Sequence, residues 1–489
     1  MSKQHRTHVV AVVLNRVEGD SRVIKTARVA LEAGYDATIV GVGSSKTAET
    51  LEIEGVRVIR VPNYSKCLAQ MGLWPNPEGI RHLDLLLDGV GRTMLDTLDV
   101  ESIDILHSHD MFGLKLGSMI AEEISTGGRR VPWVHDLHEY VAGLESNVGT
   151  DYRAAALRYE RRYLHKPDVL MTVSEPLART VAERYNLAAD PSVVLNAPFR
   201  SQENNGKSEV RSALGLADDI PLVAFVGVAN DLRGCRTMVK ALKQLDQYHL
   251  VFVSQNAYAK ELKREADAGP AAGRFHLHPY VPTDQVSAFV RTADIGIHGL
   301  VHYPNGEVAL PNKLFEYLHA SLPIVASDVA AMKGFVEKHD IGEIYEADNV
   351  ESCANAVRRA FERRQIIKAN ITDELKMEYS WEHQSRKLLS IYRELEANDI
   401  SLLSAAEREE AIKLRDRTNA EADVRLSRAA SEINGALLKG NSSEIRQAVT
   451  QLKQVSENKN VSGHVAPGSP HRVRRLLGRV RRRLQRGLR

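Results

Sequence analysis

The sequence predicts an α/β protein of two domains, followed by a helical C-terminal extension. Short apolar runs, such as HVVAVVL at 8–14 and LVAFVGV at 222–228, are typical of strands buried in a parallel sheet. Amphipathic helical segments follow such runs, as at 23–33, where Gly34 ends the pattern. A polar stretch at 200–208, RSQENNGKS, divides the elements into two series. Alternating strands and helices of this kind form open parallel sheets.

Length and composition are those of a large globular protein. The chain has 489 residues, 43% of them hydrophobic, and its apolar runs are too short to span a bilayer. The N-terminus reads as a first strand rather than a signal peptide, because polar residues follow the apolar run at once. Cys67, Cys235 and Cys353 lie too far apart for a metal or redox motif, which fits a reducing compartment. We therefore expect a cytoplasmic protein, with association at the inner membrane face as a further expectation.

A polar loop follows the first predicted strand and contains Asp20 and Arg22. It lies at the carboxyl end of the strand, where open α/β sheets bind ligands, but it lacks the glycine pattern of a dinucleotide fingerprint. Asp20 and Arg22 are therefore candidates to meet an acceptor or a phosphate. The alternative is that Asp20 caps the next helix while Arg22 lies on the surface.

Two histidine-rich clusters end successive predicted strands, at 107–110 (HSHD) and at 135–139 (HDLHE). Metal binding is the weaker interpretation of the first cluster, because its residues alternate along a strand end and we expect them not to converge. The sequence thus predicts no metal site. Two clusters at neighbouring strand ends favour one shared cleft, although a lone histidine after a strand is usually structural.

The most informative stretch is 305–328, NGEVALPNKLFEYLHASLPIVASD. It predicts a short helix beginning at Asn312 and a buried strand after Pro323. Asn312 and Lys313 lie at the start of that helix, where an anion is favoured and a lysine adds a point charge for phosphate. Glu316, one turn later, is suited to accept hydrogen bonds from a ribose diol. The alternatives are a clamp for a nucleoside diphosphate and a solvated Lys/Glu face on an ordinary helix.

This stretch resembles the nucleotide-binding segment of GT-B glycosyltransferases of the large retaining family 4 group. The matching residues are Pro311, Asn312, Lys313, Phe315, Glu316, Tyr317, Pro323 and Asp328. The chain departs from the family at Ser321, where glycine is usual, and at Val308, where many members carry the first of two glutamates. Residues 135–139 and 193–198 are also similar to family segments.

The resemblance covers about residues 8–397 and implies two Rossmann-like domains that face each other across a cleft. Residues 1–199 would form the acceptor domain and 209–378 the nucleotide-sugar donor domain. A closing helix at 379–397 would pack back on the first domain.

The resemblance also implies transfer of a hexose-type sugar from a nucleoside diphosphate donor to a hydroxyl acceptor, with retention and with neither cofactor nor metal. Arg233 takes the position of the family lysine, and with Lys313 and the amides at Asn312 it would neutralise the leaving diphosphate. The resemblance implies three further contacts with the nucleotide: Gly227 with the diphosphate, backbone near Val281 with the base, and Glu316 with the ribose. For the sugar, it implies that His138 lines the site and that Glu307, or the amides near Gly306, bind the hydroxyls. Asp20, Arg22 and His109 would meet the acceptor or a phosphate.

The expected partners are the nucleotide-sugar donor and a glycan or lipid-linked acceptor of the cell envelope, with no nucleic acid. Two other functions stay open from the sequence. One is a GT-B-shaped epimerase or phosphorylase. The other is a non-catalytic scaffold that uses the helical extension.

The C-terminal residues lie outside the resemblance. Residues 401–456 predict two long helices, as a hairpin or a short coiled coil through which the chain could form an oligomer. Residues 457–489 predict a linker and a basic tail; from 471 onward the tail holds nine arginines and no acid, with one apolar stripe. We expect this tail to bind an anionic membrane surface, with nucleic-acid binding and a flexible tail as alternatives.

Overall fold

The computed structural model divides the chain into two compact units. The first unit contains Met1–Asp136, Ser146–Val169 and Tyr392–Arg489, and the second contains Leu137–Glu145 and Leu170–Ile391. Residues 137–145 and 170–199 thus group with the second unit, although the sequence prediction assigned them to the first domain. The residues that the structure describes are 6–63, 79–145, 150–200, 208–397, 403, 406–418, 420–421 and 424.

The first unit contains a mainly parallel sheet with helices between its strands. The strands are β1 (His8–Val12), β2 (Asp36–Gly43), β3 (Glu49–Ile53), β4 (Val56–Pro62), β5 (Ile105–His109) and β6 (Trp133–Leu137), and the helices are α1 (Ser21–Glu32), α2 (Gly79–Thr97), α3 (Asp110–Thr126) and α4 (Thr150–Tyr163). The spatial order is β3-β4-β2-β1-β5-β6, and only the β3–β4 pair among them is antiparallel. The central strands are buried almost throughout, as their apolar sequences predict.

The second unit contains the remaining strands and most of the later helices. The strands are β7 (Val169–Thr172), β8 (Ser192–Val193), β9 (Leu222–Val226), β10 (His249–Val253), β11 (Phe275–His278), β12 (Ile295–His298), β13 (Ile324–Ser327) and β14 (Gly342–Tyr345). The helices are α5 (Glu175–Tyr185), α6 (Val210–Leu214), α7 (Cys235–Leu242), α8 (Ala257–Asp267), α9 (Val286–Val290), α10 (Pro304–Val308), α11 (Asn312–His319), α12 (Ala330–His339), α13 (Val350–Glu362), α14 (Arg364–Asn370), α15 (Asp373–Glu378) and α16 (Trp381–Ala397).

The six-stranded parallel sheet of this unit has the order β11-β10-β9-β12-β13-β14. Alternate residues of β9 enter two separate cores: Leu222, Ala224 and Val226 lie in one, and Val223 and Phe225 in the other. Both faces of the sheet are therefore covered, as expected for parallel strands. The strand order reverses between β9 and β12, and ligands bind at such a switch point in open α/β sheets.

Tyr317 of α11 determines how β9 and β12 end. The ladder between the two strands stops at the pair Gly296 and Ala224. Beyond it, the buried Tyr317 hydroxyl accepts a hydrogen bond from the Val226 amide at 3.0 Å and donates one to the Ile297 carbonyl at 3.1 Å. The ring needs a glycine opposite, because a Cβ added at Gly296 would lie 2.3 Å from it. The residues that follow these strands therefore stand on either side of the switch point.

The predicted α/β class is confirmed, with two mainly parallel sheets and a helical C-terminal region. Residues 406–418 are helical and belong to the first unit. There Arg408 donates to the Thr126 carbonyl at 2.9 Å, and Arg415 donates to the Thr126 hydroxyl at 3.2 Å. These arginines satisfy the C-terminal end of α3, where cations are favoured.

The helices α13 and α14 are separated at Arg363, whose guanidinium pairs with Glu343 and Asp340. The expected second C-terminal helix, the linker and the basic tail lie outside the described residues. Within the described part of the chain, no helix combines the length and the apolar character needed to cross a membrane.

Candidate active site

Arg233 and Gly227 lie together at the carboxyl end of β9. Gly227 has φ +133°, a conformation that favours glycine. The Asn230 side chain accepts a hydrogen bond from the Arg233 amide at 3.0 Å, and the Arg233 guanidinium donates to the Val228 carbonyl at 2.8 Å. A Cβ added at Gly227 would lie 3.3 Å from Nη1 of Arg233. The glycine thus lets the guanidinium approach the end of the strand.

Lys313, Glu316 and Asn312 form a second polar group, on the first turns of α11. Lys313 Nζ donates to both carboxylate oxygens of Glu316 at 2.8 Å. Asn312 Nδ2 lies 3.5 Å from one of the same oxygens. The Glu316 side chain is 1% exposed and that of Lys313 is 16% exposed, so the ion pair is largely withdrawn from water. The three predicted residues of this helix are therefore in mutual contact.

His298, at the end of β12, connects the two groups electrostatically. Burial, and after it the nearby Arg233 and Lys313, lower the pKa of His298 to about 3. Both cations therefore act on one imidazole at the switch point of the sheet. Its ring lies over Phe225, with centroids 5.8 Å apart, and Nδ1 has no hydrogen-bond partner among the described residues. A buried polar atom without a partner costs about 1–3 kcal/mol, which calls for an explanation.

The segment 137–145 carries His138 and contacts α10. His138 is half-buried directly after β6. The Tyr140 amide donates to the Asn305 side chain at 2.8 Å, and a Cβ added at Gly143 would lie 2.5 Å from the Asn305 nitrogen. Burial, and then the Glu139 carboxylate, raise the pKa of Tyr303, while Asn305 and Arg233 act in the opposite direction. Arg233 thus influences this side of the site as well.

Glu307 and Val308 occupy the region where the family carries its first glutamate. Glu307 contacts His302 Nδ1 at 2.6 Å with one oxygen and accepts from the Ala330 amide at 2.8 Å with the other. Val308 is buried, and its carbonyl accepts a hydrogen bond from the Ser174 hydroxyl at 2.7 Å. The Glu307 carboxylate therefore stands at the N-terminal end of α12, held by groups of the protein.

Val281 and Tyr280, at the position expected to meet the base, differ in exposure. Val281 is buried in the core that contains Val286 and Phe289, so a ligand would meet its backbone. The preceding residue, Tyr280, is 75% exposed.

The predicted residues of the first unit have internal partners. Asp20 caps α1, accepting from the Val23 amide at 3.2 Å, as the alternative interpretation expected. Arg22 is not a surface residue: it is buried and donates to both oxygens of Asp136 at 2.7 and 2.8 Å. His109 Nδ1 lies 3.2 Å from the same carboxylate. The surface alternative for Arg22 is therefore wrong, because this guanidinium neutralises a buried acid.

The expectation that the histidines of 107–110 do not converge is also wrong. Residues two apart on a strand point to the same face, and the rings of His107 and His109 are stacked with centroids 4.1 Å apart. With Asp136 they form a group whose ligand atoms lie within 4.8 Å of one another, close enough to hold a metal ion. Both oxygens of Asp136 are already engaged by Arg22, however, so the charge of this group is balanced within the protein.

Comparison with known families identifies the class of protein. A model described as glycosyl transferases group 1 matches residues 206–377, and one described as glycosyl transferase 4-like domain matches residues 22–197. The chain is a GT-B glycosyltransferase of the family 4-like class. The resemblance of the PNKLFEY segment to this family is thereby confirmed, and so is the assignment as an enzyme.

Individual relatives of this glycosyltransferase are distant. An uncharacterised glycosyltransferase of Methanocaldococcus jannaschii is 23% identical over 373 residues, which cover 74% of this chain and 90% of that protein. A Bacillus subtilis glycosyltransferase provisionally assigned to teichuronic acid biosynthesis is 24% identical over 275 residues, covering 56% of this chain and 64% of that protein. The solved structure of Anabaena HepE in complex with UDP-glucose has a TM-score of 0.58 at 14% identity, covering 79% and 99% of the two chains.

The structure brings together most of the residues predicted for the donor side of this glycosyltransferase. Arg233 with Gly227, and Lys313 with Asn312 and Glu316, form two groups whose cations, after burial, both lower the pKa of His298. His298 is not among the residues predicted from the sequence. The available signal was a single histidine that ends an otherwise apolar strand, IGIH, which is compatible with many structural roles.

Proposed function

We propose that the glycosyltransferase moves a hexose-type sugar from a nucleoside diphosphate donor to a hydroxyl acceptor, with retention of configuration. The observation that carries the proposal is that the Tyr317 hydroxyl of α11, the helix that carries Lys313, accepts a hydrogen bond from the Val226 amide at 3.0 Å. This contact lies beside Gly227 and Arg233, where the strand order reverses between β9 and β12. A site with two cations at a switch point suits a diphosphate. The similarity to Anabaena HepE, whose structure contains UDP-glucose, supports a nucleotide-sugar donor.

The chemistry follows from the charges that develop in the reaction. As the bond between the anomeric carbon and the phosphate oxygen breaks, the carbon becomes cationic and the diphosphate gains negative charge. Arg233, Lys313 and the amides at the start of α11 are preorganised to stabilise that leaving group. The acceptor hydroxyl forms its bond on the same face of the sugar, and its proton passes to the leaving phosphate. Protein cations supply the positive charge, so the proposal requires no metal.

The remaining residues position the donor and the acceptor. Glu316 would accept hydrogen bonds from the ribose, Gly227 would leave room for the diphosphate, and backbone at Val281 would contact the base. His138 would line the sugar site. Glu307, or the amides near Gly306, would bind the sugar hydroxyls, whereas Asp20, Arg22 and His109 are engaged by partners within the first unit.

The second part of the proposal concerns the acceptor and the place where the enzyme works. A glycan or lipid-linked acceptor of the cell envelope fits the similarity to the Bacillus subtilis relative and the arginine-rich tail at 471–489. Such a protein would work in the cytoplasm at the inner membrane face, with oligomer formation through 401–456. Sedimentation with anionic vesicles, with and without residues 471–489, tests the membrane part: equal binding would contradict it.

The decisive experiment concerns Lys313. A thermal-shift screen of UDP, GDP and ADP sugars first selects the donor that binds. Lys313→Ala should then weaken donor affinity and donor hydrolysis by roughly 10- to 100-fold, because a charge-assisted hydrogen bond to phosphate is lost. Lys333→Ala is the matched control, since the ion pair of Lys333, with Glu337 at 3.9 Å, lies on the surface. Hydrolysis should be unchanged when EDTA is added.

Removing Lys313 also leaves the buried Glu316 without its cation, so stability must be measured in parallel. The double variant Lys313→Ala with Glu316→Gln restores a neutral pair and should keep the loss of hydrolysis. Unimpaired hydrolysis by Lys313→Ala would contradict the assignment of the leaving-group site.

A further inference from the structure

His298 is buried, and the described residues around it provide no hydrogen-bond partner for Nδ1 of its ring. It follows the apolar residues Ile295 to Ile297 and packs on Phe225, and its Nδ1 is without a hydrogen-bond partner in the described part of the chain. The charged groups found to act on it are Arg233 and Lys313, both cations. A cation offers no hydrogen-bond acceptor. The described part of the chain therefore offers Nδ1 no hydrogen-bond partner, and an N–H placed on that nitrogen would lack an acceptor.

The position of His298 indicates what could supply that acceptor. It ends β12 at the switch point, and Gly227 directly follows β9, the neighbouring strand of the sheet. The absent side chain of Gly227 and the two cations define a place suited to an anion. An imidazole kept neutral by burial and by these cations carries one N–H, which can donate to a phosphate oxygen without adding a third positive charge.

We propose that His298 is a ligand of the donor diphosphate, to which it donates a ring N–H between the contacts made by Arg233 and Lys313. This inference rests on the proposed function, since it assigns a further residue to the same site. It also accounts for a buried imidazole that the fold itself leaves incompletely bonded. In the complex the diphosphate would complete the hydrogen bonding of the ring.

Tyr345 provides a matched control. Its hydroxyl is also buried without a hydrogen-bond partner among the described residues, and it lies near Gly299, the residue after His298, because a Cβ added there would be 2.1 Å from the hydroxyl. Burial is the largest cause that raises the pKa of Tyr345. Tyr345→Phe therefore removes an unpartnered buried polar atom from the same region, at a residue to which no donor contact is assigned.

The test compares UDP with uridine by calorimetric titration of the full chain, using GDP and ADP with their nucleosides if UDP does not bind. His298→Leu should weaken nucleoside diphosphate binding roughly 5- to 30-fold and leave nucleoside binding unchanged. His298→Asn retains an N–H donor near the same position and should recover most of the affinity. Tyr345→Phe should bind the diphosphate as the wild type does.

The outcomes separate this inference from the proposed function. If the wild type binds none of the three diphosphates, the proposed function fails and the inference fails with it. If the wild type binds one and His298→Leu binds it equally well, only the inference is overturned. Equal loss for diphosphate and nucleoside also overturns it, since a structural disturbance would act on both.

A measurement on the wild type keeps the test independent of folding of the variants. With ¹⁵N-labelled histidine, the His298 ring signals should move when UDP is added and stay in place when uridine is added. Ring signals that do not respond to a bound diphosphate would overturn the inference.

Discussion

Each unit of the molecule places histidines at the carboxyl end of its sheet, and the two sites differ in their counter-charges. In the first unit, His107 and His109 end β5 beside Asp136, whose two oxygens accept hydrogen bonds from Arg22. In the second unit, His298 ends β12 and is acted on by two cations. Burial lowers the pKa of both His107 and His298, so burial alone does not distinguish the sites.

The two clusters differ in whether their charges are balanced within the protein. In the first unit a buried acid and a buried base neutralise each other, and His107 Nδ1 lies 2.7 Å from the Tyr392 hydroxyl. In the second unit Glu316 offsets Lys313, but the acceptor of the Arg233 guanidinium among the described residues is the uncharged Val228 carbonyl, so positive charge is in excess. A self-neutralised cluster stabilises a fold, whereas a cluster with excess charge is suited to bind an ion of opposite sign.

The largest effect should come from breaking the self-neutralised cluster. Arg22→Ala leaves Asp136 buried without its bidentate cation, and removal of one partner of a buried ion pair destabilises by about 3–5 kcal/mol. Urea unfolding monitored by fluorescence measures this change. Arg28→Ala is the control, because Arg28 forms exposed pairs with Glu32 and Glu54 and should change stability by less than about 1 kcal/mol. Equal effects of the two variants would remove the distinction between the clusters.

A smaller effect, on binding rather than stability, should come from the other cluster. Arg233→Ala should weaken UDP affinity roughly 10- to 100-fold, because a guanidinium bonds phosphate with charge-assisted hydrogen bonds. Arg236→Ala is the matched control. Arg236 lies three residues after Arg233 and forms surface ion pairs with Glu261 and Glu265. Calorimetric titration measures both. Similar UDP affinity in the two variants would mean that the charge near His298 does not serve the donor.

The central strands and the helix that carries Lys313 could be predicted from the sequence. The apolar runs predicted nearly all central strands, because a parallel strand buried on both faces needs such a run. The segment around Asn312, Lys313 and Glu316 was recognised because its chemistry is local: the three residues lie on adjacent turns of one helix. Local pattern and local chemistry thus predicted the fold class and the donor side of the site.

What the sequence did not predict depends on residues distant along the chain. Arg22 and Asp136 are 114 residues apart, and only the sheet brings them together. His298 differs from a structural core histidine through its unpartnered Nδ1 and through Arg233, in the loop after β9, and Lys313, on α11, which, after burial, both lower its pKa. Edge strand β3 was missed because its residues alternate in exposure and it lacks an apolar run. Such features follow from tertiary packing, which overrides local preference.

A third prediction concerns Ser321, which follows the site helix α11 and replaces a glycine usual in the family. Ser321 has φ +55°, and the hydrogen bonds from its amide to Leu318 and from Leu322 to Tyr317 close the helix as a Schellman motif. Ser321→Gly should raise the free energy of unfolding by about 1 kcal/mol, since glycine adopts this conformation without strain. Thermal unfolding measures the gain, and UDP affinity should stay unchanged.

Ser321→Ala separates backbone strain from the loss of the hydroxyl. Alanine is strained in the left-handed region as serine is, so this variant should lie within about 0.5 kcal/mol of the wild type. A gain equal to that of Ser321→Gly would contradict the backbone explanation.

The smallest expected effect concerns His302, whose charged neighbours are the reverse of those around His298. His302 lies between Glu307 and Asp328, and the hydrogen bond with Glu307 is the main cause that raises its pKa above the ordinary value of 6.5. A raised folded-state pKa stabilises below pH 6.5, and the stabilisation is lost as pH rises through that raised pKa. His302→Gln should lack this dependence, so the stability difference from the wild type should shrink between pH 6 and 9, as followed by urea unfolding. Parallel pH profiles would show that the exposed carboxylates do not hold the imidazolium, and the contrast with His298 would then rest on burial alone.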